Sequence, residues 1–425
     1  MGEDSKLGSK IKAQITRFSG GLSEGMGKVS RRFVGQMIYG IQAGKDVKVS
    51  EVARALNEEI ALIKTENRLC RNLAGEDLTE RINAWTSWAG SAAVGTDTVL
   101  AIDLGDIRKS YARKMEYLGS VRDGSTKQIV PGYWLCEVLA AEVEGERVTP
   151  LYGALYAQMA EDFQSENDQI HEAIDTVVSS IGTAGIWAID RGGDRRRIII
   201  PMLDKHLRFV IRQDGDRHIV MPGGRKCSVE EASRWCKGSF EKIVDVEREG
   251  YTEHKHLRLG SLAVALPEKP EETLWLVVIR GLASHPIFLL TNVAPCEGKN
   301  HAEWIAEIYL TRWKCEEAYR FLKQSYHLED VRVRSYTALR NTYALTHAVF
   351  YFVSVVIGTR AKLNLVFKRL CQKARRFYEI STFFQYAVAD GIHRLLFASR
   401  CGPHPAPNPR SSGQLVFDFL KPLTR

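Results

Sequence analysis

Residues 300–326 read NHAEWIAEIYLTRWKCEEAYRFLKQSY. Asn300 is a good helix N-cap, and no Gly or Pro interrupts the run. The spacing predicts one continuous helix from Asn300 to Tyr326. Tyr309, Arg312, Glu316 and Lys323 lie within it as Y-x2-R-x3-E-x6-K. At 3.6 residues per turn these four side chains fall within about 60° of one another, along a stripe of roughly 21 Å. A plain solvated face would also carry charges at such spacing, and Glu316 with Arg320 would then be an ordinary i,i+4 surface pair. Yet four specified residues at fixed offsets arise by chance only about once in 10^5 starting positions.

Working outward, the helix stands at the head of a basic segment. From Arg312 to the C-terminus there are 19 Lys and Arg against 7 Asp and Glu, while the 425-residue chain as a whole carries +8. The first 311 residues are therefore net acidic, and the basic third suits a polyanionic partner. Hydrophobic content of 44% and charged content of 26% are those of a globular protein with two or three domains. The most apolar run, Ala344–Ile357, is too short to span a bilayer and predicts a buried helix. No membrane partner is expected. Eight cysteines show no CxxC pair and no zinc-site spacing, and the N-terminus has no apolar signal region. They read as reduced thiols in a cytoplasmic protein.

The remaining chain divides by pattern. Residues 1–92 predict helices, including Ser30–Ala43, a long helix Ser50–Leu73 capped by Ser50 with Val52, Leu56, Ile60 and Ile63 on one face, and Leu78–Trp88. This is a candidate helical DNA-binding domain. Strands follow at Thr98–Ile107, Tyr133–Val143 and Val148–Tyr156, then a helix at Glu166–Ser180 and strands at Gly185–Asp194 and Arg208–Arg212. Residues 213–284 predict a β-rich insertion, and Pro286–Val293 a last core strand. Residues 93–357 thus form a candidate α/β catalytic domain. Residues 358–425 form a basic helical region, a candidate for dimerisation, with an amphipathic helix at Lys362–Arg376 and an extended tail at Cys401–Gly413.

Two apolar strands end alike, as Ala101-Ile102-Asp103 and Ala188-Ile189-Asp190. A strand-end Asp is commonly a turn or cap residue. It can also be held rigidly with its carboxylate in a cleft, and Glu316 is the natural third acid for a shared cation. Asp106 and Asp194 compete for these roles. A spacing of three puts Asp106 on the opposite strand face from Asp103.

With these blocks in this order, the chain resembles the DDE transposases of bacterial insertion sequences, in the branch carrying the YREK signature (the insertion sequence 4 family). Tyr309, Arg312, Glu316 and Lys323 match the signature, and Asp103 and Asp190 match the first two acids. The resemblance implies an RNase H-like (retroviral-integrase-like) core with a β-rich insertion. It implies Asp103, Asp190 and Glu316 as catalytic ligands of two Mg2+ or Mn2+ ions. Tyr309, Arg312, Trp313, Arg320, Lys323 and Arg212 would contact DNA. The implied activity is cut-and-paste transposition: cleavage of double-stranded DNA at terminal inverted repeats to free 3′-OH ends, then joining to target DNA. A homodimer in the synaptic complex and a nucleoid-associated location in a bacterial cytoplasm are also implied. Where relatives stack a flipped base on a Trp before this helix, the chain has Ile287 and Phe288, with Trp275 on an earlier strand. Two alternatives share the fold: a transposase-derived DNA-binding protein that no longer cuts, and a nuclease without strand transfer.

Overall fold

The run VLAIDLGDIR forms the strand β1 (Val99–Arg108). It is apolar on both faces because both are covered. Leu100 and Ile102 enter one core, while Ala101 enters a second and Val99 a third. The computed structural model describes residues 3–124, 126–248, 251–357 and 384–398.

Beyond β1 come β2 (Gly119–Arg122), β3 (Ile129–Ala141), β4 (Val148–Tyr156), β5 (Ile186–Ile189) and β6 (Phe209–Gln213). β1, β3 and β4 make the expected antiparallel meander, and β5 lies parallel to both β1 and β6. The expected insertion supplies β7 (His218–Val220), β8 (Lys226–Ser228), β9 (Phe240–Arg248), β10 (Tyr251–Leu266) and β11 (Lys269–Arg280). β12 (Ile287–Thr291) returns antiparallel to β6 and joins both groups into one mixed sheet of twelve strands.

Helices cover the sheet. The N-terminal region folds as α1 (Glu3–Leu22), α2 (Lys28–Gly44), α3 (Val49–Leu56), α4 (Leu62–Leu73) and α5 (Thr79–Gly90). α6 (Glu166–Ile181), α7 (Arg196–Asp204) and the short α8 (Val229–Ser233) share a core with Leu100 and Ile102. α9 (His301–Thr311), α10 (Trp313–Ser325) and α11 (Tyr336–Tyr351) follow β12. α11 continues as a π-helical turn to Ile357 and is buried, as its composition predicts. Among the described residues no helix is long and apolar enough to cross a membrane, and the described cysteines are free thiols.

Three expectations change. The helix Ser50–Leu73 is two helices. Asn57 adopts a left-handed conformation (φ 47°, ψ 51°), which Asn tolerates, and ends α3. Ser50 lies inside α3, and Lys48 takes the N-cap position. Ile60 and Ile63 consequently leave the core face and are 48% and 58% exposed. The break places Glu58 where its carboxylate accepts hydrogen bonds from Arg32, Gln36, Thr65 and Arg68, at 2.8–3.1 Å. The helix Asn300–Tyr326 also divides. Asn300 caps it as read, accepting from the Glu303 N–H at 3.1 Å. At Arg312, however, the ladder tightens to three-residue bonds: Arg312 N–H donates to Tyr309 O (3.1 Å) and Cys315 N–H to Arg312 O (2.9 Å). The third change is at Asp103: β1 runs on to Arg108 because residues 104–108 keep pairing with β3, so Asp103 lies within the strand and not at its end. Lys362–Arg376 and Cys401–Gly413 lie outside the described residues. The described helix Gln385–Ala398 is packed against α2 and the residue after it: Gln42 Nε2 donates to Ala389 O at 3.2 Å, and Lys45 pairs with Asp390.

α10 seats directly on β1. Cys315 Sγ donates to Ala101 O (3.4 Å), and Tyr319 Oη donates to Asp103 O (2.7 Å). The Tyr319 ring covers Gly105 so closely that a Cβ there would stand 2.8 Å from its Cζ. Gly105→Ala should therefore destabilise the fold by ~1–3 kcal/mol through overpacking. Gly20→Ala, on α1 with nothing within 4 Å of the new Cβ, should be neutral or stabilising by up to ~1 kcal/mol. Urea unfolding of the two variants measures both.

Candidate active site

The two Ala-Ile-Asp blocks lie side by side. In the β1–β5 pairing Ala101 stands opposite Ala188 and Ile102 opposite Ile189. Asp103 and Asp190 are thus the next residues on neighbouring parallel strands, whose spacing is about 4.8 Å. β6 extends the row. Ile189 pairs with Ile211, which brings Arg212 next to Asp190, with Nη1 3.6 Å from Asp190 Oδ1. β5 ends at Ile189, so Asp190 turns out of the sheet into a 3-10 turn, Arg191–Gly193.

The α9–α10 pair closes over this row. Tyr309 Oη donates to Asp190 Oδ1 at 2.9 Å. Arg312 spans two acids: Nη1 is 3.2 Å from Asp103 Oδ2, and Nη2 donates to Glu316 Oε1 at 2.9 Å. Its guanidinium also lies 5.8 Å from the centre of the Tyr309 ring. Lys323 Nζ stands 3.3 Å from Asp106 Oδ2 and 3.1 Å from Glu329 Oε1. Tyr309 and Arg312 are only 1% and 3% exposed, whereas the Glu316 side chain is 53% exposed. The four signature side chains therefore do not form an open stripe: the first two are turned into the protein by the acids they bind. Trp313 is half exposed and Arg320 exposed. Arg320 pairs with Glu317 rather than with Glu316.

The competing acids have other partners. Asp194 is buried, pairs with Arg217 and accepts from the Asp214 N–H at 2.7 Å, so it ties the turn after β5 to the start of the insertion. Asp106 is buried against Lys323 and accepts from the Gly124 N–H at 3.4 Å. Tyr319 was not expected at the site, although it follows Glu316 by one helical turn, the spacing that signals a shared face. Glu137 is fully buried opposite Asp103 on β3 and accepts from Tyr343 Oη at 2.5 Å.

The charges interact strongly. Burial pushes Asp103 up to about 7, with Glu316 and Asp190 adding to the rise and Arg312 opposing it. Burial also acts to raise Asp190, but Arg312, the Arg191 N–H, Tyr309 and Arg212 together hold it below the ordinary range. For Arg312, desolvation is outweighed by Asp103 and Asp190, and its proton is held more tightly than usual.

Residues 162–351 match the family model of the transposase DDE domain. That span includes Asp190 and Glu316 and begins after Asp103. No curated protein matches the chain at a significant level. Among solved structures, the chain is similar to a piggyBac transposase synaptic complex with hairpin DNA, with a TM-score of 0.45 and 10% identity over 93% of this chain and 80% of that one.

DDE transposases use divalent metal ions. The donor set here has the chemistry for one: three carboxylates, all hard oxygen ligands, in the middle of β1, at the exit of β5 and on α10. Asp103 is the acid whose charge a nearby cation would most relieve, since burial beside two other acids raises it. As the residues stand, no three His, Cys, Asp or Glu groups among the described residues are close enough to share an ion. The Arg312 guanidinium bridges Asp103 and Glu316 instead.

Because Asp103 titrates near 7 when folded and near its ordinary value of about 3.9 when unfolded, the folded protein retains a proton between those values. This contribution to stability is lost as pH rises from about 4 through 7. Asp103→Asn in chelator should remove that loss, so that its stability relative to the wild type climbs across this window. Urea unfolding at a series of pH values reads the difference.

Proposed function

We propose that this chain is a DNA transposase with an RNase H-like core, acting by metal-dependent cut-and-paste transposition. The observation that carries this reading is the register of the two Ala-Ile-Asp blocks, which juxtaposes Asp103 and Asp190 beneath the helix bearing Glu316. An antiparallel meander flanked by two parallel strands, with an insertion before the third acid, is the layout the sequence resemblance implied. The transposase DDE match over residues 162–351 supports it independently.

Asp103, Asp190 and Glu316 would hold a pair of Mg2+ or Mn2+ ions. When bound, these supply a strong oxygen nucleophile and positive charge at the leaving 3′ oxygen. The chain's own residues position the DNA. Arg212 and Tyr309 flank Asp190 and fix its carboxylate. Arg312, at the junction of α9 and α10, and Lys323, further along α10, would meet phosphates on either side of the cleaved bond. Exposed Trp313 and Arg320 extend that surface. Helices α1–α5 would form a DNA-binding domain for the terminal inverted repeats. Residues 358–425 would serve dimerisation in a synaptic homodimer, acting at the nucleoid of a bacterial cytoplasm.

Duplex DNA ending in the element's terminal repeats, incubated with Mg2+, should yield 3′-OH ends at the repeat boundary. Glu316→Ala should lower that rate by at least ~10^3-fold, equivalent to ~4 kcal/mol of barrier, with DNA affinity retained. Undiminished cutting by this variant would sink the assignment of the three acids. Lys323→Ala should weaken binding of all duplexes and reduce the slope of log affinity against log salt by about 1. Fluorescence anisotropy across a salt series measures this.

A further inference from the structure

Arg312 stands where two functions conflict. Its guanidinium is in contact with Asp103 and Glu316, two of the three acids assigned to the metal site. A guanidinium and a divalent cation held side by side by the same two carboxylates repel one another. Arg312 is also incompletely satisfied. It is 3% exposed, and its Nε has no hydrogen-bond partner. A buried guanidinium with an unused N–H keeps capacity for a further anion. That N–H is closed off from solvent, so an anion reaches it only if the side chain moves. Arg312 is the single residue between α9 and α10, at a tightened turn of the helical ladder, so its side chain leaves the backbone at the junction of the two helices. Glu316, the acid it holds from α10, is half exposed, so its carboxylate can be solvated when Arg312 leaves it.

We propose that Arg312 is a gate on the metal site: in the free protein it occupies the gap between Asp103 and Glu316, and a phosphodiester anion must draw it off before the acids take up a divalent cation. Metal binding then follows substrate binding. The anion's identity as DNA rests on the transposase reading. The competition between guanidinium and metal does not.

Mn2+ binding to the full-length protein, followed by the loss of free-ion EPR signal, tests the gate without any turnover. Wild-type protein alone should bind Mn2+ weakly, and Arg312→Gln should bind it at least tenfold more tightly in the absence of DNA. Adding a duplex carrying the terminal repeats should raise the wild-type affinity and leave that of Arg312→Gln unchanged. Arg312→Gln combined with Glu316→Gln should lose the gain. Equal Mn2+ affinity of wild type and Arg312→Gln without DNA overturns the gate, as does a gain that survives Glu316→Gln. If Arg312→Gln fails to fold, Arg312→Lys replaces it. Lys keeps the charge but cannot span both carboxylates, so an intermediate gain is expected and an unchanged affinity overturns the proposal. Failure of wild-type protein to bind or cut any duplex would instead defeat the transposase reading, and the metal comparison in free protein would still decide the gate.

Discussion

Everything at the site depends on one parallel pairing, that of β1 with β5. Four residue pairs, from Val99 with Ile186 to Ile102 with Ile189, set two strands in register. A slip of one residue would turn every following side chain to the opposite face. Asp103 and Asp190 would then point to different sides of the sheet, and no helix could gather them. The register is protected because the paired residues are all buried and belong to cores on both faces. The hydrophobic effect that stabilises the sheet therefore also aligns the acids. Arg212 benefits from the same alignment one strand further on.

Much of this was legible in the residues. The repeated Ala-Ile-Asp blocks, the alternation of strands with turns and the Asn300 cap are local signals: the blocks do lie on strands, although only the second ends its strand, and Asn300 does cap a helix, although a shorter one. What stayed hidden is contact between distant segments. The break at Arg312 has no Gly or Pro to announce it. It occurs where a buried guanidinium is held by an acid on another strand. The break after Leu56 is similar: Ile60 and Ile63 complete an apolar helical face on paper, but the bonds to Glu58 favour a turn at that point. In α7, Pro201 masks a helix whose signal is still present, in Ile198, Ile199, Met202 and Leu203 at helical spacing. The exposure of Glu316 and the burial of Tyr309 could not be read from periodicity, which places both on one face and says nothing of depth.

The acids divide by burial, and the division matches the roles proposed for them. Asp194 and Asp106 are nearly inaccessible and each has a cation within contact distance. Asp190 and Glu316 keep substantial exposure, as groups that must meet a substrate do. Asp103 is intermediate: its side chain is 19% exposed, and its main-chain carbonyl is held by Tyr319.

The Asp194–Arg217 pair has a consequence for how such a chain can diverge. It joins the turn just beyond Asp190 to the first hairpin of a long inserted segment. The loops of that segment can lengthen, shorten or change composition while the strands around the acids keep their geometry. Arg217 cannot be lost so freely, since its removal would leave a buried carboxylate without a counter-charge four residues from Asp190. Variation in the inserted segment is thus constrained most closely at this buried ion pair, while the exposed pairs Arg191–Asp214 and Arg196–Glu268 tolerate exchange more readily.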